Sequence, residues 1–173
     1  NAALDGLTFA PTLDYVGPAS IQILTDDLGN SGAGVALTDN DTVNITVGGA
    51  NDAPVNNVPS AQTTNEDTPL VFSSSNGNQI TVSDNDAGTN PLRVSISAAN
   101  GTITLNQTVG LSFITGDGAA DAGMSFSGTM AAINAALNGL TFIPTANFAG
   151  AASLQVVTND QGNTGVGGAL LDS

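Results

Sequence analysis

The stretch NAALDGLTF at residues 1–9 returns as NAALNGLTF at 134–142. Sliding the sequence on itself by 133 positions aligns residues 1–40 with 134–173 without a gap, and 23 of the 40 positions are identical. Several changes are conservative: Tyr15 against Phe148, Ile21 against Leu154, Ile23 against Val156. A fixed period of this kind marks a tandem array of one structural unit. The first copy runs on into DTVNITV at 41–47, and the second stops at Ser173. Between two apolar patterns lies GGANDAPVNNVP at 48–59, a Gly, Asn and Pro cluster with the composition of a linker. Residues 1–50 are therefore expected to be the C-terminal part of an upstream repeat, with 41–47 as its last strand. Residues 51–173 are expected to be a nearly complete second repeat lacking its final strand. Asn1 aligns with Asn134, so the chain is expected to open in mid-helix.

Charge narrows the partners. One cation, Arg93, stands against 15 acidic residues, a formal net charge of −14. Such a surface repels phosphate backbones and anionic headgroups, which argues against nucleic acid and membrane surfaces, and it attracts divalent cations. Without Cys there are no disulfides or thiolate metal sites, and without His the commonest general base is missing. No apolar run is long enough to span a bilayer. An enzyme would have to be built from carboxylates alone, and none is expected.

Period-two alternation dominates the chain. In DTVNITV, Val43, Ile45 and Val47 fall on one face. In LRVSISAANGTITL (92–105), Leu92, Val94 and Ile96 alternate with polar residues, and Asn100-Gly101 predicts a tight hairpin turn before Ile103 and Leu105. Further strands are predicted at 58–64, 69–73, 79–83, 111–114, 124–127, 140–143 and 152–158. One short helix is predicted at about 129–138, with Met130, Ile133 and Leu137 on one stripe, Thr129 as its cap and Gly139 as its stop. The expected fold is all-β: an antiparallel sandwich of immunoglobulin or cadherin-like type.

Acidic residues sit where strands end. Strand parity brings Asp52 of the linker, Asp84 and Asp86 of SDNDAG, and Asp160 of TNDQGN to one pole. There Asn51, Asn85 and backbone carbonyls add neutral oxygens. Carboxylates and oxygens without a compensating cation suit Ca²⁺, which takes six to eight oxygen ligands. Glu66 falls toward the opposite pole, where it would meet a neighbouring linker. Asp27, aligned with Asp160, points away from the 50–54 junction. Asp117 and Asp121 of TGDGAADAG read first as turn residues and second as ligands, because aspartate bonds its own backbone in turns.

NDAPV in the linker, NEDTPL, SDNDAG and GLTFIPTANFAG together resemble bacterial cadherin-like repeats, the tandem modules of large secreted or surface-attached adhesins of the RTX type. The resemblance covers nearly the whole chain. It implies a β-sandwich that binds Ca²⁺ at or near domain junctions, with Asp52, Glu66, Asp84 and Asp86 as ligands, and an extracellular or cell-surface location. The repeat is longer than a minimal cadherin-like module, the helix and its flanking strands being the extra.

The leading functional expectation is a structural or adhesion repeat, stiffened by Ca²⁺ between consecutive domains, with any surface ligand bound by other modules. An alternative is a self-assembling fibre or sheath subunit, in which 41–47 is swapped within the chain or lent to an identical subunit. Carbohydrate binding is disfavoured, since one Tyr, six Phe and no Trp leave few aromatics to expose.

Overall fold

Alternating apolar residues form strands where a partner strand is within reach and are buried only where a second layer covers them, and the chain shows both outcomes. The computed structural model describes residues 2–30 and 32–173. It divides into two compact units, Asn1–Gly49 and Ala50–Ser173.

The first unit is a hairpin. Strands β1 (Gly17–Asp26) and β2 (Thr38–Val47) pair antiparallel over their whole length, from Gly17↔Val47 to Asp26↔Thr38. The whole of 41–47, expected as the last strand of the upstream repeat, pairs with β1. Residues 2–6 form turns rather than the end of a helix, and Asn1 lies outside the described residues. None of the unit's described residues is buried.

The second unit is an antiparallel β-sandwich. Its strands are β3 (Val55–Asn57), β4 (Leu70–Phe72), β5 (Thr81–Ser83), β6 (Pro91–Ala99), β7 (Gly101–Thr104), β8 (Leu111–Thr115) and β9 (Gly123–Thr129). Helix α1 (Met130–Leu137) follows, then β10 (Leu140–Pro144), β11 (Ser153–Asn159) and β12 (Leu171–Asp172). One sheet has the order β12-β11-β6-β9-β8, the other β4-β10-β7, and β3 pairs with β5 alone. Leu92, Val94 and Ile96 of β6, Phe126 of β9 and Val156 of β11 meet Phe72, Ile103, Leu140 and Phe142 of the smaller sheet in one core.

The helix crosses from one sheet to the other. The Thr129 side chain accepts the Ala132 amide, and Ile133, Ala136 and Leu137 are buried while Met130 packs at the margin. Gly139 ends it at φ 110°, donating its amide to the Phe72 carbonyl. Asn134 replaces a missing strand neighbour: its carboxamide accepts the Val82 amide and donates to the Val82 carbonyl, both at 2.8 Å. This two-way clamp ties α1 to β5.

Two further expectations are corrected. Residues 58–64 are not a strand, since only the shorter β3 forms before them. The segment is VPSAQTT: apolar residues do not alternate along it, and Pro59 offers no backbone N–H to a partner strand. The 92–105 stretch is not a hairpin. Asn100 takes the predicted left-handed turn (φ 62°), yet β6 and β7 enter different sheets, with β7 pairing β10 instead. Gly101 permits this corner, because a Cβ there would lie 2.4 Å from the Phe142 ring.

The repeat supplies a matched test of burial. Leu140 is 0 % exposed and its counterpart Leu7 is 56 % exposed. Leu140→Ala is expected to lower the unfolding free energy of the second unit by about 2–5 kcal/mol, whereas Leu7→Ala changes it by no more than about 0.5 kcal/mol. Chemical denaturation of the two variants reads the difference.

Candidate metal centre

One end of β11 gathers the linker and two acidic loops. The linker is anchored twice: the Asn51 amide donates to the Val166 carbonyl at 3.1 Å, and Ala50 bridges Val166. The Asn51 side-chain nitrogen donates to Asp160 Oδ2 and to the Gly168 carbonyl. The Asp52 amide donates to Asp86 Oδ2 at 3.1 Å, tying the linker to the loop after β5. Within that loop Asp84 Oδ1 accepts the amides of Asp86 and Ala87, the bonds of an aspartate turn.

Three buried oxygens in this cluster have no hydrogen-bond donor: Asn51 Oδ1, Asp84 Oδ2 and Asp86 Oδ1. All three are acceptors. A buried acceptor without a partner carries its full desolvation penalty, so each calls for an explanation. Asp84 is only 8 % exposed. Burial pushes its carboxyl above the ordinary range, the Ala87 amide pulls against that, and the neighbouring Asp86 carboxylate pushes it further up. The oxygens are hard donors, with no nitrogen or sulfur among them, and that set fits Ca²⁺. Among the described residues no group of three or more acidic side chains stands at metal-ligand spacing. The unpartnered set is two carboxylates and one carboxamide.

Asp160 stands in the same cluster and is used differently. Its Oδ1 accepts the amides of Gly162 and Leu170, both at 2.8 Å, and its Oδ2 takes Asn51. Burial opposes its ionisation, but the Leu170 and Gly162 amides and the Asn51 side chain outweigh this and hold its pKa below the ordinary range. Asp27 does the same in the first unit: its Oδ1 accepts Gly29 and Leu37, exactly one period earlier, and those amides lower its pKa. Both aspartates staple the loop that joins two paired strands. Each holds its Oδ1 on two backbone amides, and Asn51 takes the Oδ2 of Asp160, so Asp160 adds no unpartnered oxygen to the cluster.

The remaining candidates contribute no unpartnered oxygen to the cluster. Asp52 enters the cluster through its amide. Glu66 is exposed and lines a hollow with Gly150 and Phe148, at the end of β11 opposite Asp160. Asp121 Oδ2 accepts the Asp117 and Gly118 amides, and Asp117 Oδ1 accepts Ala119, so this loop uses its acids as turn residues. Sequence reasoning missed the clamp beside the cluster. The Asn56 amide donates to Asp172 Oδ2, its side-chain nitrogen to the Asp172 carbonyl, and its Oδ1 accepts the Thr158 hydroxyl. Asn56 sits in an Asn-rich linker that reads as turn chemistry, and nothing local singles it out.

Compared with family models, with curated proteins and with solved structures, the chain matches none.

The two aspartate staples predict unequal costs. Asp160 is 2 % exposed and its Oδ1 holds the part-buried Gly162 and Leu170 amides, so Asp160→Ala is expected to cost roughly 1–3 kcal/mol. Asp27→Ala, at an exposed loop, is expected to leave the second unit unchanged. The sign with pH follows from the lowered Asp160 value: its contribution is complete above the ordinary 3.8 and is lost as pH falls through the folded value. Urea unfolding from neutral to acid pH should show Asp160→Ala closing on the parent at the acid end.

Proposed function

We propose that this chain is a structural repeat module of a bacterial extracellular array, stiffened where the chain enters each repeat by a bound Ca²⁺. The observation that carries this reading is the trio of donorless buried oxygens on Asn51, Asp84 and Asp86. Asn51, Asp84 and Asp86 would hold the ion, with water or backbone carbonyls completing its shell. The ion would supply positive charge to two adjacent carboxylates in a chain whose one cation, Arg93, donates to Ser125 elsewhere. The linker and the 84–87 loop are already joined by the Asp52–Asp86 hydrogen bond. An ion bridging them would make that attachment rigid, and stiffness accumulating over many repeats gives an extended stalk.

The tandem period, the acidic composition and the resemblance to cadherin-like repeats support the same reading. The array would place other modules, which recognise the surface ligand, at a distance from the cell.

Thermal melting in Ca²⁺ and in chelator tests the proposal. A ligand bound only to the folded state adds about 2.7 kcal/mol at a hundredfold excess over its Kd. The parent is therefore expected to melt several degrees higher in Ca²⁺. Asp84→Asn is expected to abolish that increment while holding or raising the melting temperature in chelator, because it removes a buried charge whose burial is costly. Asp117→Asn should retain the increment. A parent melting temperature indifferent to chelation would overturn the reading.

A further inference from the structure

Asn51 is the neutral member of the unpartnered trio, and a carboxamide can turn either its oxygen or its nitrogen toward a neighbour. Its side-chain nitrogen donates to Asp160 Oδ2 and, at 2.9 Å, to the Gly168 carbonyl. Both of these neighbours accept. Turned the other way, Asn51 would set its own oxygen against two oxygens and forfeit both bonds. The carboxamide is therefore locked in one orientation, with Oδ1 directed away from Asp160.

The linker passes between two loops at this point. The 160–170 loop, which joins β11 to β12, grips Asn51 by main chain and side chain, since the Asn51 amide also donates to the Val166 carbonyl at 3.1 Å. The next residue, Asp52, donates its amide to Asp86 Oδ2 at 3.1 Å, on the loop that carries the other two unpartnered oxygens. One of these belongs to Asp84, a side chain only 8 % exposed whose Oδ2 meets no donor. Asp160 is itself pinned. Its Oδ1 accepts the Gly162 and Leu170 amides, both at 2.8 Å, which leaves Oδ2 to hold Asn51. Swinging Asp160 into the cluster as a ligand would break those bonds.

We infer that Asp160 is a positioning residue of the cation site: it orients Asn51 so that Oδ1 is presented to the ion, and makes no contact with the ion itself. The inference rests on the Ca²⁺ reading above. Groups that orient a metal ligand from behind change affinity by about 10–100-fold when they are lost. The arrangement also links the ion to the β11–β12 loop. A cation that draws on Asn51 Oδ1 favours the closed loop, and by reciprocity the closed loop favours the cation.

Calorimetric titration of Ca²⁺ into the metal-free 173-residue chain is the test. Asp160→Asn keeps an oxygen for the Gly162 and Leu170 amides but sets an NH₂ where Asn51 finds an acceptor. Asn51 then turns its oxygen toward position 160 and away from the ion. Affinity is expected to fall about 10–100-fold, with the circular dichroism of the parent retained. Asn51→Ala should lower it at least as far, and adding Asp160→Asn to that variant should change it by no more than about twofold. A general loosening of the loop would instead lower affinity in both backgrounds. Asp27→Asn, at the matching loop one period earlier, should leave affinity unchanged. In the unsubstituted chain, the Asn51 side-chain NH₂ resonances should move as Ca²⁺ saturates. A parent that takes up no Ca²⁺ overturns the cation reading itself. If the parent binds Ca²⁺, the positioning role alone is overturned by any of four results: an Asp160→Asn variant that binds as tightly, two substitutions that act independently, an equal loss in Asp27→Asn, or NH₂ resonances that stay in place.

Discussion

Strand β6 is the element on which the second unit depends. It is the middle of the larger sheet, paired on both edges, and its Leu92, Val94 and Ile96 are buried against the opposite sheet and α1. A strand held on both edges and covered on its face has no exposed backbone polar group to satisfy and loses no apolar area to water. Each step away from β6 weakens one of these conditions. β11 has a full partner on one side only, β12 is two residues long, and 58–64 has no strand partner at all. In the first unit the pairing is complete but the second layer is missing, and no described residue is buried.

The polar pole works by the same accounting applied to oxygens. Where an aspartate meets backbone amides, as Asp160 and Asp27 do, burial or loop closure is compensated and the carboxylate stays ionised. At Asp84, beside Asp86, burial outweighs the two amides that its Oδ1 accepts, and the proton is held more tightly. One amino acid type at one end of one sandwich thus serves as a fully bonded staple at one position and as a carboxylate with an unpartnered oxygen at another. The distinction rests on which N–H groups the loops aim inward.

Much of this was legible from the residues. The period of 133, the all-β class, the single helix with Thr129 and Gly139 at its ends, and the gathering of Asn51, Asp52, Asp84, Asp86 and Asp160 at one pole follow from alternation, capping chemistry and strand parity. What was not legible depended on partners distant in sequence. Asn100 announces a left-handed turn, but whether the chain returns beside β6 or crosses to β10 is set by the Phe142 ring packing over Gly101. Residues 58–64 (VPSAQTT) carry a proline and no sustained apolar alternation, and they form no strand. The role of Asp160 is decided by the Leu170 and Gly162 amides, and aspartate in a turn reads the same whether its second oxygen is free or taken.

The internal repeat shows where the boundary lies. NAALDGLTF and NAALNGLTF share eight of nine residues. In one, Leu140 and Phe142 are buried and the preceding residues are helical; in the other, Leu7 and Phe9 are exposed and the preceding residues are turns. By itself the sequence determined the local vocabulary: which residues alternate, which cap and which turn. Tertiary structure alone decided burial, because burying a leucine needs a second apolar layer, and that layer comes from residues far along the chain.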